Sequence, residues 1–432
     1  MDFYAFFSLI LAIFFIIAKK PYYNLVLLLT AIPFENSVTL TSSLSLIKAM
    51  SVLTFISFIF NSKYFIKHLF NGYIRNIYFI LFWICFFIST ATGIDQSFAD
   101  ILREITGWFQ WFIILSIIHY YFKYVNINSL DQLENFLIKY GLIILVFIVV
   151  IQGPNLLTNR LYFGRYLGPN TLAILFTALL LLLYSIDYRN KMVIHFIGII
   201  FFLAIISTGN RSMMIGLIIA SLMLFFKFIR IINVKSILLI IAFLLVIFFP
   251  YKQDSFLFNA QTRIIYPIVQ IKDYFLSGDD FEIGNEDYSY HTSIYRSSAI
   301  TKENERIMLY QLAFMIANDN PIFGHGPGTL VYNNILNNVL DKQKNIHSTF
   351  LDILLKYGYV GLILSLLFFT RLLIRSFNAS NTPRGIALFI LLIGLSVDAL
   401  FHTQYQDSIV LVFVSIFTFR LFFHDKNIKT NS

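Results

Sequence analysis

What most constrains this chain is a succession of long, almost uncharged apolar blocks. They lie at about 3–18, 22–36, 44–60, 74–92, 105–122, 137–152, 170–187, 192–207, 212–230 and 236–250, and again at about 348–370, 385–401 and 407–423. A helix that is apolar on all sides needs a very large core or lipid around it, and a row of such blocks points to lipid. Each is long enough, or nearly so, to cross a hydrocarbon core of about 30 Å at a rise of about 1.5 Å per residue. Composition agrees, with 58% of residues hydrophobic and 13% charged, where an ordinary soluble domain carries about 25% charged residues. The expected fold is therefore an all-α polytopic membrane protein with about 12–13 transmembrane helices, the uncertain span being the short block at 22–36. The blocks divide the chain into an N-terminal bundle of about 9–10 spans over 1–250, a polar loop over 251–346 with amphipathic helices, and about three spans with a short tail over 347–432.

The first block lacks a positive leader and a small-residue cleavage site, and Lys19 and Lys20 follow it, so it reads as a retained helix. Cys85 is the single cysteine, which excludes an internal disulfide, and no Cys/His metal framework exists. The net charge of +9 invites a nucleic-acid reading, but in a membrane protein an excess of Lys and Arg marks cytoplasmic loops. Assigning alternate loops to two sides puts more than half of the 32 basic residues on one side, among them Lys63, Lys67, Arg75, Arg189, Lys235, Arg371 and Arg384. That side is cytoplasmic and includes the C-terminus, so the 251–346 loop faces outward. The short loops of the outer side hold only Arg103, Arg160, Arg165 and Arg211.

Arg160, Arg165 and Arg211 are exceptions, lying beside Gly168-Pro169-Asn170 and Thr208-Gly209-Asn210. A guanidinium is always charged and offers a rigid fork of donors, so three of them on the outer side point to an anion site. In the large loop, Glu305-Arg306 precedes Met308, Leu309, Leu312, Ala313, Met315 and Ile316 at helical spacing, which predicts an amphipathic helix near the membrane, ended by Asn320-Pro321. Gly324-His325-Gly326-Pro327-Gly328 follows, its glycines permitting tight turns and close backbone approach to a ligand. No Gly-Lys-Ser/Thr accompanies it, so nucleotide binding is unsupported. His347 immediately precedes the next apolar block; a helix starting near Ser348 would hold its imidazole neutral at the positive helix end, suited to a general base. Asp352 and Lys356, four apart, can pair along that helix; Asp398 and His402, also four apart, could orient an acceptor or His347; Trp108 and Trp111 suit an aromatic belt.

Taken in order, these residues resemble a known family. Arg160 with Gly168-Pro169-Asn170-Thr171-Leu172-Ala173, the turn Ser207-Thr208-Gly209-Asn210-Arg211-Ser212, Glu305-Arg306 with Asn320-Pro321-Ile322-Phe323-Gly324, and His347-Ser348-Thr349-Phe350-Leu351 with Gly358-Tyr359-Val360-Gly361 are similar to the ordered motifs of the O-antigen polymerase/O-antigen ligase membrane glycosyltransferases. The chain departs from the family's common pattern at Ser348, where Asn often follows the histidine, and at Asn210, where Ser often precedes the arginine. The resemblance covers residues 150–370 by motif. It implies a GT-C-like membrane fold and a donor glycan on polyprenyl diphosphate, transferred at the periplasmic face. The carrier is a substrate and no cofactor or metal is implied. The expected partners are the lipid-linked donor and acceptor, membrane lipid and a chain-length regulator protein, with no nucleic acid. Arg211 and Arg306 would stabilise the leaving diphosphate, with Arg263, Arg165 and Arg160 as further diphosphate-binding candidates, and His347 would deprotonate the acceptor hydroxyl. Gly324, His325, Gly326 and Gly328 would supply loop backbone at the site.

The reading favours an O-antigen polymerase over a ligase that moves the glycan to lipid A-core, on the Gly324–Gly328 segment and the Phe/Ile-rich composition. A polysaccharide flippase is the alternative from another class, but it would place ionisable groups at mid-membrane and often shows repeated halves. The topology has a direct test. In a Cys85→Ala background, Ser277→Cys is expected to react with a membrane-impermeant maleimide on intact spheroplasts, and Ser432→Cys only after lysis; the opposite pattern would overturn the orientation.

Overall fold

The computed structural model describes residues 3–31, 45–62, 64–69, 77–93, 96–124, 127–153, 161, 168–186, 191–228, 302–332, 334, 346, 348–402 and 408–419. In chain order the helices are α1 Phe3–Ile17, α2 Pro21–Ala31, α3 Leu46–Asn61, α4 Phe65–Leu69, α5 Ile77–Thr92, α6 Phe98–Tyr124, α7 Ile127–Gln152, α8 Pro169–Ser185, α9 Lys191–Thr208, α10 Arg211–Phe228, α11 Lys302–Asp319, α12 Thr349–Asn378, α13 Pro383–Phe401 and α14 Ser408–Phe419. Among the described residues there is no strand, only an isolated bridge between Gln96 and Thr329. The protein is an all-α polytopic membrane protein, as its hydropathy requires. Every apolar block coincides with a helix except that at 236–250, which lies outside the described residues. Phe98–Tyr121, Asp131–Gln152, Thr349–Asn378 and Pro383–Leu400 are each long and apolar enough to cross a membrane, and shorter apolar helices accompany them. Helices α6 and α7 run to 27 and 26 residues, longer than their apolar blocks, because their polar ends can continue the helix into water. Arg103 therefore sits within α6, ion-paired with Asp100 at 3.0 Å, and not in a loop.

The chain forms two compact units. One comprises Met1–Leu130, Glu286–Gly385 and Ala399–Ser432; the other comprises Asp131–Asn285 and Ile386–Asp398. In the second, Pro169 occupies the first turn of α8, where its missing N–H is one no helix would satisfy. Residues 172–179 of α8 are buried without a break, so protein and not lipid surrounds this helix there. Its neighbour α9 turns Met192, Phe196, Ile199 and Leu203 outward at helical spacing, a stripe suited to acyl chains. Helices α10 and α13 approach backbone to backbone: a Cβ on Gly216 would lie 2.6 Å from the Gly394 Cα. Such small-residue crossings are how helices gain packing where lipid gives no hydrophobic drive.

In the first unit, α1, α2 and α3 pack together, α3 packs on α6, and α6 on α14; separately, α12 packs on both α5 and α11. The expected apolar stripe of α11 is present, and it is buried in protein. Leu309, Leu312, Ala313, Ile316 and Ala317 form a core with Tyr332, Ile346, Leu354 and Leu355, while Phe314 on another face is exposed.

Helix α12 is broken at Gly358, whose φ of 65° lies in the left-handed region. A regular helix would pair Tyr359 N–H with Leu355 C=O and Val360 N–H with Lys356 C=O. Here the Leu355 and Lys356 carbonyls accept instead from the N–H groups of His325 (2.8 Å) and Gly326 (3.0 Å). The freed Tyr359 and Val360 N–H groups donate to Pro321 O (2.7 Å) and Ile322 O (3.2 Å). The 321–326 segment thus replaces one turn of the helix's own ladder. From α5, the Ser89 hydroxyl also donates to Lys356 O at 2.5 Å, and the Cys85 thiol reaches Tyr357 O at 3.9 Å. An added Cβ at Gly358 would lie 2.6 Å from the Gly324 nitrogen. Gly358→Ala should therefore lower the unfolding temperature in detergent by the equivalent of at least about 1–2 kcal/mol for the left-handed backbone alone. Gly168→Ala, where an added Cβ meets nothing within 4 Å, should leave it nearly unchanged.

Candidate functional site

Within the first unit, the segments that carry Arg306 and flank His347 are tied to one place, the end of α13. Arg306 lies on α11 one turn before Tyr310, whose hydroxyl donates to Leu400 O at 3.0 Å. The Thr349 hydroxyl, in the first turn of α12, donates to His402 O at 2.8 Å. His347 itself lies outside the described residues, but both neighbours are placed. Ile346 is buried in the α11–α12 core, and Ser348 is the N-cap of α12, its hydroxyl accepting from Leu351 N–H at 3.5 Å. The helix thus starts immediately after His347, where the sequence predicts it, and that end carries the positive pole of the helix dipole.

In the second unit, Arg211 is the first residue of α10, and the residues on either side of it are fixed. Gly209 takes a φ of 60°. The Asn210 side-chain carbonyl accepts from Met213 N–H at 3.0 Å, and its amide donates to Asp398 Oδ1 at 3.2 Å. The Ser212 hydroxyl lies 2.8 Å from Asn210 Oδ1 and bonds Asp398 Oδ1 as well. Asp398 is fully buried. The Asn210 side chain thus caps the helix with its carbonyl and bonds Asp398 with its amide. The Leu161 N–H donates to Ser207 O at 2.8 Å, holding the chain after Arg160 against this turn.

The glycine-rich segment makes close backbone approaches to the chain's own elements; an approach to a ligand is a separate matter. Gly324 and Gly326 have φ of 71° and 91°, and both sit against neighbouring chain, Gly324 on the α12 break and Gly326 on the Gln96 side chain. Gly328 O accepts from Ser97 N–H at 2.8 Å, joining the segment to the start of α6. His325 is buried, and its Nε2 donates to Ile316 O at 2.6 Å, satisfying a carbonyl in the last turn of α11. Asn320 Nδ2 closes the turn on Gly324 O at 2.6 Å.

The Asp352–Lys356 pair is present at 2.9 Å and has a third member, Glu104 of α6, whose Oε1 lies 2.5 Å from Lys356 Nζ. Glu104 Oε2 lies 3.5 Å from the Tyr357 hydroxyl, which accepts from Trp108 Nε1 at 2.9 Å. Trp108 packs in a cluster with Phe82 (ring centroids 4.5 Å apart). Sequence reading missed Glu104 because it stands just ahead of the 105–122 block, beside Arg103, and reads as a solvated end. Its signal was an acid within helical continuation of an apolar run.

Arg160, Arg165 and Arg263 lie outside the described residues, as do the side chains of Arg211 and Arg306. Among the described residues no group of three or more His, Cys, Asp or Glu side chains is placed to hold a metal ion.

Residues 196–366 match the family model described as O-Antigen ligase. Arg211, Arg306, Gly324–Gly328 and His347 fall inside that segment, and Arg160 and Arg165 precede it. No curated protein matches the chain. The family implies glycosyltransferase or ligase-type chemistry at a membrane, in keeping with the fold. Over residues 196–366, the chain is similar to the O-antigen polymerase/ligase family of multi-spanning membrane proteins.

Proposed function

We propose that the protein transfers an oligosaccharide from a polyprenyl diphosphate on the periplasmic face of the inner membrane, and that it is an O-antigen polymerase. The observation that carries the reading is the ordered set of family motifs within the matched segment 196–366. Its geometric support is that α11, bearing Arg306, and the start of α12, next to His347, pack on one another and are tied to Leu400 and His402. In the proposed reaction His347 takes the proton from an acceptor sugar hydroxyl. The hydroxyl oxygen attacks the anomeric carbon, a new glycosidic bond forms with inversion, and the bond to the diphosphate breaks. Arg211 and Arg306 take up the charge that develops on the departing diphosphate, with Arg263, Arg165 and Arg160 as further contacts. No metal or cofactor is assigned a step. A partner for the growing chain is the next lipid-linked repeat unit, and a chain-length regulator would act on the same product.

The family model's own description favours a second reading, in which the acceptor is lipid A-core and the enzyme is a ligase. Deleting the gene separates them. A lost polymerase leaves a single repeat on lipid A-core, whereas a lost ligase leaves none there and lipid-linked polymer accumulates. For the chemistry, His347→Ala should abolish transfer in inserted, abundant protein. Arg211→Ala and Arg306→Ala should each lower the rate by about 10²–10³, the usual effect of removing one donor to a developing anion. Near-normal transfer by His347→Ala would overturn the general-base role.

A further inference from the structure

The reaction proposed above has no task for Glu104, yet the structure places this acid inside an apolar cluster with both oxygens engaged. We infer that Glu104 is a positioning residue for glycan transfer, holding the first segment of α12 and through it His347; the inference rests on the general-base reading of that histidine.

Asp352 and Lys356 belong to the same helix, so their ion pair alone fixes α12 to nothing. Glu104 converts it into a tie between helices. One oxygen meets Lys356 and the other faces the Tyr357 hydroxyl, which Trp108 of α6 also holds. The side chains of Glu104 and Lys356 are 9% and 17% exposed, so their attraction is little screened. Both contacts fall on the two residues immediately before the break at Gly358. Residues 349–357 therefore form a short, separate helical rod of about 13 Å. Its far end is held by the Glu104 tie and the backbone exchange with 321–326, and its near end by Thr349 on His402 O. His347 stands just ahead of that near end. Loosening the far end lets the rod turn about the near one, which re-aims the chain that enters the helix at His347, and a misplacement of about 1 Å at a reacting group costs about 10² in rate. Glu104 lies outside the matched segment 196–366 and 243 positions before His347 in the chain, so no motif points to it.

The experiment uses the full chain in nanodiscs, a polyprenyl diphosphate-linked oligosaccharide as donor, and rates per folded molecule. Glu104→Ala is expected to lower kcat by about 10²-fold with the donor KM unchanged within about twofold. Glu104→Gln keeps two polar atoms in place and should recover to about a tenth of wild type. It also carries the comparison should Glu104→Ala fail to accumulate, and wild-type turnover by Glu104→Gln would then overturn the inference. In the double variant Glu104→Ala, His347→Ala, the rate should equal that of His347→Ala alone, because nothing is left to position. Two results would overturn the inference: full specific activity in Glu104→Ala, or a further loss of the same size on top of His347→Ala. If His347→Ala itself remains active, the parent reading fails first, which distinguishes the two failures.

Discussion

The break in α12 is the constraint on which the rest of the first unit depends. A helix that crosses a membrane cannot leave backbone groups unpaired, because lipid supplies no donor or acceptor and each orphan costs several kcal/mol. Gly358 frees two carbonyls and two N–H groups, and the 321–326 segment meets all four. That exchange fixes the loop's end against the helix. It thereby sets where α11 stops, how its apolar stripe seats on α12, and where the backbone of Arg306 lies. The glycines at 324 and 326 are needed at this junction for the chain's own approach, whatever else they touch.

Charge is handled by the same rule as backbone. Lys356 in the first unit is largely buried and Asp398 in the second fully buried in apolar helices, where a polar group without partners is costly. Lys356 is bracketed by two carboxylates; Asp398 accepts from an amide and a hydroxyl on the turn that contains Arg211. In the second unit the buried Asp398 thus holds the residues on either side of Arg211. By contrast the exposed pair Arg103–Asp100, with Arg103 62% exposed, belongs to the class of surface ion pairs worth about 0–1 kcal/mol.

Much of this was legible in the sequence, for reasons that differ by residue. The apolar blocks gave the helices because length and hydropathy are local properties. The start of α12 at Ser348 and the seating of Pro169 in the first turn of α8 were readable because capping and proline effects act over three or four residues. The Asp352–Lys356 pair followed from helical spacing alone. Glu104 was not legible, since its partners lie some 250 positions away and only the fold brings them together. The splice was half legible: the glycines announced a close approach, but a ligand and a broken helix demand the same residues. Asp398 was singled out for its neighbour His402, and its bonds to Asn210 and Ser212 come from a helix that periodicity on α13 could not reveal.

The backbone exchange at Gly358 also has a direction in time. Cys85, Ser89, Pro321, Ile322, His325 and Gly326 supply its hydrogen bonds, and Glu104 the adjacent ion pair; all precede Gly358 in the chain. A ribosome releasing this protein from its N-terminus has therefore already made every partner of the broken turn when the turn emerges. The membrane never has to shelter a half-satisfied helix while waiting for later sequence. The clasp of Thr349 on His402 O, by contrast, waits for residues still to come.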